Sequence, residues 1–320
     1  MYDDDDIRPY RPMLSLIYPV GETLADINEF VAAVENHTTV SVMAGLDCPE
    51  ERCQTYDNYL YQRLVVVFDM DTCDGVLVYP GWETCEAARE AVRTAYRAKL
   101  PIYRLGMTDD GPTILPRIEV VGIAGWAQSG KDTTALTLTE NEGYYRASFA
   151  DVLRDIVTKV NPIIGFNEDG QVRYVDAVST IGYEETKRRY PESRRILQTL
   201  GTEGVRDTLD AEAWPIALYL NARDGARVVV PDVRFENEIE FVHFCEGEVW
   251  WVSRPSVPAP PDAHASEVTL TPDHCDRVIV NDGTPIDLAR KASEAIRQMR
   301  EQQANDDSDP DEWIEVLRPE

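Results

Sequence analysis

The chain of 320 residues is short of positive charge, with Lys and Arg totalling 31 against 58 Asp and Glu, a formal net charge of −27. Such a balance repels a polyanion over most of the surface and argues against duplex DNA as a partner. Histidine is scarce, at four residues, and the six cysteines (Cys48, Cys53, Cys73, Cys85, Cys245 and Cys275) form no C-x-x-C pair and no metal-like spacing with histidine. They read as reduced thiols of a cytoplasmic protein rather than a disulfide framework. No apolar stretch approaches the length of a membrane span, and no basic start precedes a hydrophobic signal region, so no membrane partner is expected. Part of the acidity is local: Asp3 to Asp6 open the chain, and Asp306, Asp307, Asp309, Asp311 and Glu312 lie near its end. These read as solvated ends, residues 1–11 and 300–320.

What is present centres on residues 118–135. A β-branched, apolar run enters Gly125-Trp-Ala-Gln-Ser-Gly-Lys131, and helix formers follow. Glycines between a buried strand and a helix start are the setting of a phosphate loop. Gly125 and Gly130 allow the backbone N–H groups to converge, the helix adds its positive end, and Lys131 supplies a point charge. Gln128, Ser129, Asp132 and Thr133 belong to the same loop. The position after the lysine, where a metal-binding hydroxyl is usual, is Asp132, so either Thr133 takes the metal contact or Asp132 holds the ion through water.

Before this loop, strands are expected at 14–20, 38–44, 75–80 and 101–105. Helices are expected at 23–35 and 84–98, with 60–68 a helix or a buried strand. Alternation of this kind implies a parallel sheet covered on both faces, here a domain over residues 12–105. Residues 106–116, broken by glycine and proline, read as an aperiodic linker at which the halves should separate. After the loop, a helix is expected at 132–140, a strand at 143–149 and a helix at 150–160, followed by a polar loop at 161–174. Lys187 to Arg206 then gathers cations in an acidic chain. Pro191 suits a first helical turn, Arg194 and Gln198 share a face, and Gly201 should end that helix before another begins at Glu203. Phosphoryl transfer needs guanidinium groups, which favours a role for at least one of Arg194, Arg195 and Arg206. Ala226 to Asp232 is a buried strand ending in a carboxylate, with Arg234 facing the same crevice; Asp232 is a natural Mg²⁺ partner or, alternatively, a cap for the helix at 235–245. Arg254, His264 and Glu267 follow a further strand, and a helix from Ile286 to Met299 closes the domain.

These residues carry two resemblances. Asp74-Gly-Val-Leu-Val-Tyr-Pro-Gly-Trp-Glu83 with Leu-Pro-Ile-Tyr103 is similar to the nucleoside 2-deoxyribosyltransferase-like superfamily, which implies a Rossmann or flavodoxin-like sheet and a site at Trp82 and Glu90. The ordered set Gly125 to Thr133, Arg194-Arg-Ile-Leu-Gln-Thr-Leu-Gly-Thr-Glu203 with Arg206 and Trp214, Asp232-Val-Arg-Phe-Glu-Asn-Glu238, Arg254-Pro255, His264-Ala-Ser-Glu267 and Asn281-Asp-Gly283 resembles the deoxynucleoside monophosphate kinases of tailed bacteriophages. That resemblance implies a P-loop α/β/α sandwich over residues 117–299. It implies transfer of the ATP γ-phosphate to a deoxynucleoside 5′-monophosphate for phage DNA synthesis.

On that reading Gly125, Gln128, Ser129, Gly130, Lys131, Asp132, Thr133 and Arg254 hold ATP, while Thr133, Asp132 and Asp232 place Mg²⁺. Lys131, Arg194, Arg206, Asp232 and Arg234 act in catalysis, and Asp151, Arg195, Gln198, Glu203, His264 and Glu267 contact the acceptor. Small nucleotides are then the partners, and a homodimer is left open. A kinase of a modified base in DNA, glycosidic chemistry through Glu90, and a non-catalytic ATP sensor remain the alternatives.

Overall fold

The computed structural model describes residues 13–17, 32, 41–43, 75–108, 111–168, 170–257 and 270–306. The segments read as 23–35 and 60–68 fall almost wholly outside these, as do the acidic ends up to residue 12 and beyond 306, and His264 and Glu267.

Two sheets form. In the first, β1 (Met13–Ile17), β2 (Ser41–Met43), β3 (Gly75–Val78), β4 (Ile102–Thr108) and β5 (Gly111–Pro116) are ordered β2-β1-β3-β4-β5. All neighbours are parallel except β4 and β5, which form an antiparallel hairpin. Between β3 and β4 runs α1 (Glu86–Arg97). The hairpin corrects the expectation of an aperiodic linker at 106–116. Its glycines and prolines mask a backbone ladder that pairs Tyr103 with Pro116 through Thr108 with Gly111, and ladder pairing needs no side-chain period.

The second sheet follows two residues later. It comprises β6 (Glu119–Ala124), β7 (Tyr145–Arg146), β10 (Arg227–Val230), β11 (Glu248–Ser253) and β12 (Arg277–Val280), all parallel in the order β12-β11-β6-β10-β7. The strand expected at 143–149 is real only at Tyr145 and Arg146, on the sheet edge. Because the strands are buried on both faces, alternation sorts the residues of a strand rather than separating apolar from polar. Val120, Ala124, Val228, Val230, Val249 and Trp251 join one core, while Val121, Ile123, Val229, Trp250 and Val252 join the other. The latter core is closed by α2 (Lys131–Asn141) and α9 (Pro285–Asp306), which extends past the expected end at Met299. The former is covered by α3 (Ala150–Val160), α7 (Ala213–Asn221) and α8 (Glu236–Phe244).

The expected loop at 161–174 is another hairpin, β8 (Ile163–Asn167) with β9 (Gly170–Arg173). Gly170, at φ +118°, makes the tight turn that the polar composition had suggested to be open loop. Beyond it come α4 (Tyr174–Ile181), α5 (Tyr183–Arg189) and α6 (Pro191–Gln198). Gly201 does not end α6. The chain continues as a π-helix over Thr199–Arg206, with Gly201 packed on Leu153 and its carbonyl accepting from Trp214 Nε1 at 3.0 Å. A glycine here serves the close approach of α3, not a stop signal.

The two sheets share the first core, and α1 is the filling between them. Trp82 is fully buried and donates from Nε1 to Asp224 at 2.9 Å. Tyr96 donates to Glu212 at 2.8 Å and packs edge-on to Phe244 at 4.8 Å. Arg117, between β5 and β6, is shut from solvent; it donates to the carbonyls of Tyr219 and Ala222 and to Asp224 at 3.2 Å, with Trp82 and Tyr219 stacked on its guanidinium.

Trp82→Ala should therefore weaken the whole chain rather than the first sheet alone, by about 3–5 kcal/mol. Urea unfolding followed by both far-ultraviolet circular dichroism and the fluorescence of the remaining tryptophans should show a single transition moved to lower urea. A chain starting near Leu115 would cut β5 and bare Tyr219, Phe241 and Phe244, and is expected to be aggregation-prone. A soluble truncation with the parent's midpoint would show the sheets to be independent.

Candidate active site

In a parallel sheet the loops after the strands all lie along one edge, and ligands bind where the strand order reverses. Here β6 is that switch: the chain leaves it outward past β10 to β7, and later returns to β11 on its other side. The loop after β6 therefore lies between the loops after β10 and those after β11.

That loop has the geometry of an anion cradle. Gly125 has φ +135°, and a Cβ there would stand 2.4 Å from the Val252 carbonyl oxygen. Gly130, the residue preceding α2, has φ +114°, and a Cβ would meet Asn281 Nδ2 at 2.7 Å. Gln128 adopts φ +65° without being glycine. Asn281 Nδ2 donates to Ser129 O at 2.7 Å and braces the turn from β12. Lys131 Nζ donates to Gly125 O at 2.5 Å and Trp126 O at 2.8 Å, so its ammonium lies across the loop. Ser129 is fully buried and its Oγ has no partner among the described residues. A cavity of about 300 Å³ opens here, lined by Gln128, Gly130, Lys131, Thr133, Arg254 and Asn281 among others. Arg254 reaches back to Gln128 O at 3.5 Å. Asp132 also borders the cavity, but its side chain is 81% exposed and pairs with Arg146 at 2.8 Å.

A larger cavity, about 730 Å³, opens after β7 and β10. Its cationic side chains are Arg154, Lys187, Arg188, Arg194, Arg206 and Arg234, and its apolar wall includes Phe149, Leu153, Leu197 and Trp214. Asp232, at the end of β10, accepts from Ser148 Oγ and from the backbone N–H groups of Phe149 (3.3 Å) and Ala150 (3.4 Å). It thus sits at the N-terminus of α3 and not, as one alternative had it, at that of α8. The α8 cap is Glu238, whose carboxylate accepts from the backbone of Arg234 (2.7 Å) and Phe235 (3.2 Å).

Arg206 is deeply set, with its side chain 10% exposed. It pairs with Glu238 at 2.7 Å, donates to Asn237 at 2.7 Å and lies 3.8 Å above the Phe235 ring. Burial and the nearby Asp232 charge push the Glu238 carboxyl up to about 8, against Arg206 and the two N–H donors, which favour its ionised form. Arg206 is thus a braced cation, not a free one.

Of the expected acceptor residues, Arg194 and Gln198 line this cavity from α6, as their shared face required. Arg195 and Glu203 do not. Arg195, on the opposite face of α6, is 64% exposed and forks onto Glu192 at 2.6 and 2.8 Å, while Glu203 lies on the outer side of the π-helix. Asp151 is also outside the lining: it accepts from Ser148 N at 2.8 Å and pairs with Arg154 at 2.5 Å. Trp82 is an anchor between the sheets, and Glu90 is paired with Arg93 at 3.0 Å. Sequence reasoning passed over Arg154, Tyr183, Ser148 and Glu238 as site residues. Asn281 had a signal, its place in Asn-Asp-Gly, that was not turned into a role.

The residues fit Mg²⁺, which keeps several waters and needs one or two oxygen ligands from the chain beside the phosphates. Thr133 borders the smaller cavity and Asp232 the larger. Among the described residues no cluster of three or more His, Cys, Asp or Glu side chains forms a closed metal cage, and no helix is long and apolar enough to cross a membrane.

Comparison with known proteins bears on this arrangement. The family model for deoxynucleotide monophosphate kinase matches residues 183–292, an interval containing Arg194, Arg206, Asp232, Arg254 and Asn281. Over 186 residues the chain is 30% identical to a protein of Acanthamoeba polyphaga mimivirus provisionally named a deoxynucleotide monophosphate kinase, covering 52% of this chain and 89% of that protein. Among solved structures, dephospho-CoA kinase from Campylobacter jejuni shares 11% identity at a TM-score of 0.29, over 57% of this chain and 98% of that one, a likeness too slight to bear on the reaction. Through the family match and the mimivirus relative, this chain belongs to the deoxynucleotide monophosphate kinase family and is a nucleotide kinase.

Proposed function

We propose that the protein transfers the γ-phosphate of ATP to the 5′-phosphate of a deoxynucleoside monophosphate, and that it does so for bacteriophage DNA synthesis. The observation that carries the reaction is the pairing of two cavities along one sheet edge: a glycine-built phosphate cradle after β6 and a cation-lined cavity after β7 and β10. In this reading the loop N–H groups, Lys131 and Arg254 hold the ATP phosphates, and the 730 Å³ cavity receives the acceptor. Thr133 and Asp232 would hold Mg²⁺, which would supply charge neutralisation at the phosphates.

Each protein group then has a limited task. Lys131 leaves the carbonyls of Gly125 and Trp126 for phosphate oxygens, because a charge-assisted contact to an anion is stronger than one to a neutral carbonyl. Arg194 and Arg234, both exposed at the mouth of the larger cavity, meet the acceptor dianion, and Arg206 is held at its wall by Glu238. No general base is needed, since a monophosphate oxygen is already ionised at neutral pH, and catalysis is positioning and charge stabilisation. The first sheet, of the nucleoside 2-deoxyribosyltransferase-like type in this proposal, acts as a buttress. Trp82 and Arg117 face the kinase half, and Glu90 is engaged by Arg93.

Incubation with ATP·Mg²⁺ and each common deoxynucleoside monophosphate, with products separated by ion exchange, should yield a diphosphate of at least one base. Conversion of none would sink the proposal. In the active protein, Lys131→Ala should lower kcat by about a hundredfold or more with unchanged circular dichroism, the scale of losing one charge-stabilising donor. Retained turnover would remove Lys131 from the mechanism.

Arg194→Lys keeps the charge but loses the planar fork, so the acceptor KM should rise while the ATP KM barely changes. A protein that merely senses ATP has no acceptor constant to move. A rise confined to the ATP KM would instead assign Arg194 to the donor side.

A further inference from the structure

The cations of the larger cavity differ in what already occupies them. Arg206 is locked to Glu238 in a pair whose side chains are 10% and 4% exposed, and is stacked on Phe235. Removing its carboxylate partner would leave a buried charge unmatched, so it is not readily released. Lys187 and Arg188 pair within α5 with Glu184 (2.8 Å) and Glu185 (2.6 Å), and Arg188 is 80% exposed. Arg154 stands on α3, half-buried in the cavity wall, with its guanidinium 5.1 Å over the Tyr183 ring. Lys187 also lies 4.5 Å over the Tyr183 ring, but Arg154 differs from it in carrying a planar fork and in its link to the carboxylate that follows β10. The single ion-pair partner of Arg154 among the described residues is Asp151, one helical turn back and 53% exposed.

Arg154 is also tied to the carboxylate at the end of β10. Its Nη2 lies 3.5 Å from Ser148 Oγ, and that hydroxyl donates to Asp232. Arg154 Nε is shut from solvent with no acceptor among the described residues. A guanidinium stacked on an aromatic ring, keeping donors in reserve and paired with an exchangeable carboxylate, is suited to a bidentate phosphate.

We propose that Arg154 binds the 5′-phosphate of the acceptor nucleotide, and that Asp151 holds the guanidinium over the cavity until the phosphate replaces it. The assignment rests on the kinase reading above. Tyr183 fixes the plane of the fork, and Ser148 sets its distance from Asp232. Asp151 is then a placeholder rather than a substrate ligand, and it competes with substrate for the same fork.

The test uses the full chain and three variants: Arg154→Met, Arg154→Lys and Asp151→Asn. Asparagine retains the oxygen that caps α3 by accepting from Ser148 N but carries no charge to compete for Arg154. The readouts are the KM for the best deoxynucleoside monophosphate, the KM for ATP, and calorimetric binding of that monophosphate without ATP. For Arg154→Met the acceptor KM and Kd should rise by about ten- to a hundredfold, the worth of a lost hydrogen bond to a charged group, with the ATP KM unchanged. Arg154→Lys should fall between Met and the parent. Asp151→Asn should tighten acceptor binding by about two- to fivefold, as releasing an exposed pair allows.

Unchanged acceptor binding in a folded Arg154→Met protein, or a rise in the ATP KM alone, would overturn the proposal. If Arg154→Met does not fold, the lysine and Asp151 variants decide it, and weaker acceptor binding by Asp151→Asn would count against the placeholder. Should the parent show no turnover, the kinase reading fails separately. The calorimetric comparison of parent and Arg154→Met still reports whether a nucleotide phosphate sits on Arg154.

Discussion

A guanidinium with no access to water, that of Arg117, is the constraint on which both halves of the molecule depend. A buried cation must find its acceptors inside the protein. The two terminal nitrogens of Arg117 find them at the carboxyl end of α7, where the Tyr219 and Ala222 carbonyls point outward and the helix dipole is negative, and at Asp224 beyond, while Nε has no partner among the described residues. Burial raises the Asp224 carboxyl above its usual range, and Arg117 and the Trp82 N–H work against that rise. The arginine lies between the last strand of one sheet and the first of the other. Its backbone accepts from Gly225 at 2.8 Å, and Glu119 donates to Ala226 at 3.0 Å, so one residue fixes the register of β6 against β10. Everything at the carboxyl edge of the second sheet inherits that register.

From β6 the chain runs into the phosphate cradle. Because both faces of β6 are covered, its residues carry no polar side, and the chain can turn polar only where the strand stops at Ala124. The turn is then forced by close approach: the Val252 carbonyl at the end of β11 leaves no room for a side chain at Gly125, and Asn281 at the end of β12 leaves none at Gly130. The strands on one side of β6 thus shape the loop. The cations of the other cavity arrive on helices, where a one-residue change of face decides between lining and solvent, as Arg194 and Arg195 show.

The difference between what was legible in the sequence and what was not follows from range. The phosphate loop, α3, the start of α6 at Pro191 and the carboxylate ending β10 are set by residues within one turn of each other, so spacing alone exposes them. The hairpin of β4 and β5 was hidden because ladder bonds are made by backbone, and glycine and proline spoiled the side-chain pattern. The π-helix was read as a break because Gly201 answers to Leu153, far off in sequence. Arg206 was legible as a cation near a phosphate site. Its partner Glu238, 32 residues later, was not, since nothing local in Phe-Glu-Asn-Glu announces an ion pair. Trp82 was misleading for a related reason. A tryptophan after a strand end suits a ligand site, but here the ligand is the other half of the chain.

An acidic protein that handles anions faces a difficulty its ion pairs resolve. At a net charge of −27 the surface field opposes an incoming nucleotide, and isolated cations in a cavity would have to stay solvated or repel one another. Pairing Arg154, Lys187, Arg188 and Arg206 with carboxylates of graded exposure reduces that repulsion in the free protein. Where the carboxyl group is buried, as at Glu238, the contact is enclosed and shapes the wall. Where it is exposed, as at Glu184, Glu185 and Asp151, the pair is worth little and a phosphate that brings more charge and better geometry can replace it. On the proposal that Arg154 receives the acceptor phosphate, the exposure of the acid, not the identity of the base, is what separates Arg154 from Arg206.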